Sequence, residues 1–233
     1  MPYRRLPNTD HARIRALKMA IEKAKKSDYF EMVISAPLVK EAEEVFLRFE
    51  ALLKNHKEAY EIQVKANRSF QIKVQNMRTY LSHFVQVLYM CVCRSEISSD
   101  HLKLYGLENE KMLLPDCSTN EQLLKWGSKI IDGEKKRLTL GGVPIYNPSI
   151  AKVNVMFSLF SDGYRTQKMH QKATARLLNN IVEYRKVVDK VIFDIWEEVE
   201  SYHLSLPLTD RYEKNRQYGV VYYYRKGEKE PVK

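Results

Sequence analysis

At 233 residues, 44% hydrophobic and 29% charged, the chain has an ordinary globular composition and is long enough to bury a real core. Three cysteines, Cys91, Cys93 and Cys117, exclude a disulfide framework and lack metal-ligand spacing, which points to a reducing compartment. The formal charge of +10, concentrated in residues 1–36 and 207–233, suits anionic partners or simple solubility.

No apolar h-region follows Met1-Pro2-Tyr3-Arg4-Arg5, and the longest apolar run, Val87 to Cys93, is far short of a bilayer span. The expectation is a cytoplasmic protein without a membrane partner. The first helix should start at Asn8, Thr9 or Asp10, all good caps, and run to about Ser35. Its apolar stripe is Ile14, Leu17, Ala20, Ile21 and Ala24. Ser35-Ala36-Pro37 opens a second helix, because proline is tolerated in a first turn. From Pro37 no Gly or Pro occurs until Gly106. Ala42, Phe49, Phe70, Met77, Phe84 and Cys91 share one seven-residue phase, and Val45, Leu52, Ala59 and Ala66 the other. His56 and Gln63 interrupt the first phase at its centre.

Ser98 to Asp116 reads as a connection broken by Gly106 and Pro115. Ser118-Thr119-Asn120-Glu121 has the capping-box form, serine three residues before glutamate, and starts a third helix to about Arg137. After the loop Thr139–Pro144, Asn147-Pro148 opens a fourth helix to about His203, with Gly163 its only breaker. Gly219–Arg225 is β-branched and aromatic and predicts a short strand. Leu138-Thr139-Leu140 is its expected partner within the chain, another subunit the alternative.

These segments match one another at a shift of about 110 residues. Ala20–Lys26 aligns with Ile130–Lys136; after one residue of slippage Pro37, Phe46, Phe49 and Lys57 meet Pro148, Phe157, Phe160 and Lys168. The expected fold is all-α: an elongated bundle of two duplicated short-helix/long-helix units with an internal pseudo-twofold, plus a C-terminal strand. It would form one domain over 1–233, with repeats at 8–96 and 118–204 and an extension at 207–233. The long segments either stay continuous, each short helix covering half of the pair, or fold back at their polar centres. Lys54–Lys57 and Arg165–Lys168 lack the Gly or Pro of a tight reversal, which favours continuity.

Glu200 and His203 have the Glu-x-x-His spacing of di-iron bundles, but the matching positions of the first copy, Tyr89 and Val92, cannot ligate iron. The two therefore read as a surface pair near a helix end. Ser82-His83 and Tyr202-His203 are adjacent on helices and so point about 100° apart. Gly141-Gly142 precedes Val143-Pro144, not the Lys-Ser/Thr of a phosphate loop. No catalytic residue, metal or cofactor is assigned.

Basic residues are the remaining candidates. Arg165, Lys168, Lys172 and Arg176 lie at 3-4-4 spacing on one helix face; Lys54, Lys57, Glu61 and Lys65 are their counterparts. With Arg216 and Arg225 among the tail tyrosines, they could position phosphates or hold a single strand. Against that stand a solvated helix face and an ordinary strand. His56, Gln63, Gln167 and Asn179 form a third candidate, a polar centre for a small ligand.

Arg4-Arg5-Leu6-Pro7-Asn8-Thr9-Asp10-His11-Ala12-Arg13 and Tyr218-Gly219-Val220-Val221-Tyr222 resemble the two ends of an all-helical family of Bacteroides-type bacteria. The resemblance implies a soluble bacterial protein and carries over no catalytic residue. The expected function is a non-catalytic helical scaffold or protein-interaction module, its partner another protein or a second copy of the chain. Electrostatic nucleic-acid binding is the alternative.

Overall fold

The computed structural model describes residues 3–26, 32–107 and 112–225. It is all-α: β1 (Tyr3–Arg4), α1 (Asp10–Lys26), α2 (Ala36–Cys93), a 3-10 helix (Ser99–Tyr105), α3 (Asn120–Thr139), α4 (Ile150–Tyr202), α5 (Leu208–Gln217) and β2 (Tyr222–Tyr223). The chain divides into two compact units, residues 1–59 with 174–233, and residues 60–173. α2 and α4 are uninterrupted through Lys54–Lys57 and Arg165–Lys168, so each long helix contributes to both units.

In unit one, α1 begins with Thr9 as its cap: the Thr9 Oγ1 accepts the Ala12 N–H at 3.2 Å, satisfying an orphan donor of the first turn. α1 is described over Asp10–Lys26, and because residues 32–35 are non-helical it does not reach Ser35 as the sequence suggests. Residues 32–35 are non-helical for a tertiary reason. Ile34 turns into the core, and the Ser35 N–H and hydroxyl donate to the two oxygens of Glu198 on α4 at 2.7 and 2.9 Å. α2 then starts at Ala36 with Pro37 in its first turn. The core joins Leu17 and Ala20 of α1 to Ala42, Val45 and Phe49 of α2 and to Ile181, Val188, Ile192 and Trp196 of α4. The Phe49 and Tyr184 rings lie 6.3 Å apart, so within this unit α2 and α4 run antiparallel.

Unit two packs α3 against the second part of α2 and the first part of α4. Phe70, Phe160 and Tyr164 stack at 5.9 to 6.2 Å, and Met77, Leu81, Phe84, Leu123 and Ile130 complete the buried layer. Gly163 does not break α4. A Cβ there would fall 2.9 Å from the Phe70 ring, so the missing side chain serves close helix approach. The capping box at the start of α3 is real but one residue later than the sequence suggested: Thr119 and Gln122 exchange the two bonds, not Ser118 and Glu121. Ser118 instead donates its N–H to Asp116 Oδ1 at 2.9 Å.

The tail differs most from expectation. β2 pairs antiparallel with β1, Tyr3 opposite Tyr223 and Arg4 opposite Tyr222, and not with Leu138-Thr139-Leu140. Those residues are the end and cap of α3, whose backbone already bonds within the helix turn, so they offer no strand edge. α5 occupies the extension at 207–233, where the sequence predicts only the short strand.

Candidate functional site

Among the described residues of unit one, three adjoining depressions lie between α1 and the first part of α2, and a separate one of about 390 Å³ lies among Arg4, Glu197, Glu200, Arg211 and Tyr222. The widest of the three, about 750 Å³, lies among Asp10, His11, Ile14, Leu47, Glu50, Lys54 and Lys57. A second, about 270 Å³, shares Leu47 with the first and continues past Ile21, Glu22 and Phe46. A third, about 190 Å³, shares Lys25 and Glu43 with the second and ends at Met32, Val33 and Val39. The helices oppose each other here because α1 buries Leu17, Ala20 and Ile21 while presenting Ile14 and Ala24, half-buried, along the edge. Leu47 sits between buried Val45 and Phe49 but is itself 63% exposed.

Charges around the groove are unevenly matched. Lys25 pairs with Glu43 at 2.7 Å and Lys18 with Glu22 at 3.9 Å. Asp10 is engaged by Arg185, which donates to both of its oxygens at 2.8 and 2.7 Å. That hydrogen-bonded guanidinium holds the Asp10 carboxyl below its ordinary range against the opposing effect of burial. Arg13 grips Asp189 in the same two-toothed way at 2.7 and 2.9 Å. Lys40, Glu50, Lys54 and Lys57 have no ion-pair partner among the described residues.

The other basic candidates are scattered. Arg165 faces Asp162 at 3.8 Å, and Lys168 faces Glu121 at 3.8 Å while lying 5.3 Å from the Tyr164 ring. Lys65 and Lys172 are exposed in unit two, Arg176 in unit one. Arg216 and Arg225 are exposed in unit one, at the end of α5 and after β2. Of the proposed polar centre, Gln63 and Gln167 lie in unit two with buried Oε1 atoms that have no hydrogen-bond partner. His56 is half-buried on α2 and Asn179 exposed on α4, both in unit one.

Two polar clusters escaped the sequence reading. In unit one, Glu200 and His203 are not a surface pair. His203 is buried, and its Nδ1 lies 2.8 Å from Asn215 Oδ1; an amide oxygen only accepts, so Nδ1 carries the proton. Asn215 donates to the Tyr222 hydroxyl at 2.8 Å, which donates to Glu200 at 2.5 Å. Arg4 closes the chain on Glu200 at 2.9 Å and on Glu197. The reason is topological: the turn after α4 brings α5 back across its end, and β1 seals the side.

In unit two, Glu134 and Arg137 of α3 form an ion pair 0% and 2% exposed. Arg137 donates to Glu134 at 2.8 and 2.7 Å, to the Tyr105 hydroxyl at 3.0 Å and to the Val143 carbonyl at 2.8 Å. Tyr105 donates to Glu134. The i, i+3 spacing of Glu134 and Arg137 beside Ile130 and Ile131 was the available signal. No such signal linked Tyr105 to them.

Among the described residues no group of three or more His, Cys, Asp or Glu side chains could hold a metal ion. No helix among them is long and apolar enough to cross a membrane. No family model, curated protein or solved structure matches the chain.

Proposed function

We propose that this chain is a non-catalytic protein-interaction module whose working surface is the α1–α2 groove of unit one. The observation that carries the reading is the exposed Leu47, which lines two adjoining depressions with half-buried Ile14 and Phe46 beside it. An apolar floor inside a polar rim is the usual anatomy of a recognition surface. The frame that presents it reads as a duplication. Phe49 and Phe160, matched by the internal alignment, are both fully buried in the long helices of their own units. The three free cysteines support a reducing compartment as its setting.

The test is a photo-crosslinking residue placed at Leu47 or, as control, at exposed Ile72 on α2 in unit two, in cells that make the protein naturally. A discrete adduct at position 47, absent at 72, is expected. Equal background labelling at both positions would sink the reading.

A further inference from the structure

The same groove also constrains what occupies it. We infer that it takes an acidic amphipathic helix from a partner protein, roughly four turns long; this rests on the interaction reading above and narrows it. Its length follows from α1: from His11 to Lys25 the helix rises about 21 Å at 1.5 Å per residue, matching about 14 residues of a third helix. A helix, not a strand, fits because both walls are helices whose backbone groups bond internally and leave no edge to extend. Its apolar stripe would meet Leu47 at the centre, flanked by Ile14 and Phe46.

Charge selects the other face. Glu22, Glu43 and Asp10 are each engaged by a lysine or arginine of this chain. That leaves Lys40, Lys54 and Lys57 against Glu50 as the rim without internal ion pairs among the described residues. A partner bearing Asp or Glu along its rim meets this surplus, while a basic partner is repelled by it. Nucleic acid, which the lysines alone would also attract, has no use for the leucine floor.

The probes are a stapled, dye-labelled amphipathic peptide with leucines on one face and glutamates on the other, its twin with lysine for every glutamate, and a single-stranded oligonucleotide. Fluorescence anisotropy with the full chain reads binding. The glutamate helix should bind about tenfold or more tighter than its lysine twin. Leu47→Glu, and separately Lys54→Glu with Lys57→Glu, should each weaken it about tenfold, while Ile72→Glu leaves it unchanged. Equal binding of the lysine twin, equal loss with Ile72→Glu, or binding of the oligonucleotide in place of the helix overturns the inference. So does a concentration-dependent dimer abolished by Leu47→Glu, which would make a second copy the occupant. If crosslinking at Leu47 succeeds while neither peptide binds, the acidic helix falls and the interaction module stands. If both fail, both fall.

Discussion

The two polar clusters use the same three side chains, tyrosine, glutamate and arginine, in two settings. In unit two, Tyr105, Glu134 and Arg137 are sealed from water and lie within α3 and the 3-10 helix before it. In unit one, Tyr222, Glu200 and Arg4 join the two ends of the chain, and the Arg4–Glu200 pair is 20% and 31% exposed. In both, burial first and then the glutamate bond push the tyrosine hydroxyl upward, keeping it a donor at every physiological pH. What differs is the cost of breaking them. Water can take over from a lost partner at the chain ends; under α3 it cannot. The buried cluster ties the α3–α4 loop to the helix, whereas the half-buried one fastens β1 and β2 to α4.

The largest effect should follow from Glu134→Gln. It strands the Arg137 charge in a dry site, and breaking a buried pair in this way costs about 3–5 kcal/mol. Glu200→Gln should cost about 1 kcal/mol or less, since its partners reach solvent. Urea unfolding of the two variants, side by side, measures the contrast; equal losses would erase the distinction between a sealed cluster and a wet one.

Gly133→Ala probes how rigidly the buried cluster is framed. The new methyl would lie 2.6 Å from the Tyr105 ring and 2.8 Å from the Leu104 carbonyl, and backbone cannot step aside as a flexible side chain can. Overpacking of this kind costs about 1–3 kcal/mol, against which the higher helix propensity of alanine returns about 1 kcal/mol. A net loss in thermal or urea unfolding is expected. A stabilised variant would show that Tyr105 moves freely.

Tyr222→Phe removes the hydroxyl between Asn215 and Glu200. The loss should be about 1 kcal/mol and local. Amide hydrogen exchange should speed at Tyr3, Arg4, Tyr222 and Tyr223 while the cores of α2 and α4 keep their protection. Uniform acceleration across α4 would mean the tail is no separate fastening.

That contrast also marks what the sequence could reveal. Ala42, Phe49, Phe70, Met77 and Phe84, taken from a seven-residue period, are all buried, because helical packing repeats locally. The cap of α3 was misplaced by one residue because Ser118 and Thr119 are both competent, and only Gln122 reaching back decides between them. The partner of β2 lies at the opposite end of the chain, beyond any local pattern. α5 is highly charged and buries only Asn215, so it has no apolar stripe to announce it. Lys54 and Lys57, two of the basic candidates, also line the groove; Leu47 falls in neither seven-residue phase of α2, and that local period carries no sign that an exposed leucine there adjoins α1.

The smallest effect, and the sharpest in pH, belongs to a third carboxylate–arginine pair, one without a tyrosine. Asp10 in the first turn of α1 is bonded by Arg185 of α4 and also favours the positive end of the helix dipole. The Arg185 bonds lower its folded pKa beneath the ordinary 3.8. A carboxyl depressed on folding adds stability in full above its unfolded pKa and loses it as the pH falls through 3.8 and on to the folded value. Asp10→Asn should therefore cost about 1 kcal/mol or less at neutral pH and nothing at the acid end of the titration. Stability plotted against pH should show the two proteins converging below that point. Curves that stay parallel into acid would assign the loss to the packing of the introduced amide, and the pair would then hold α1 to α4 by shape rather than by charge.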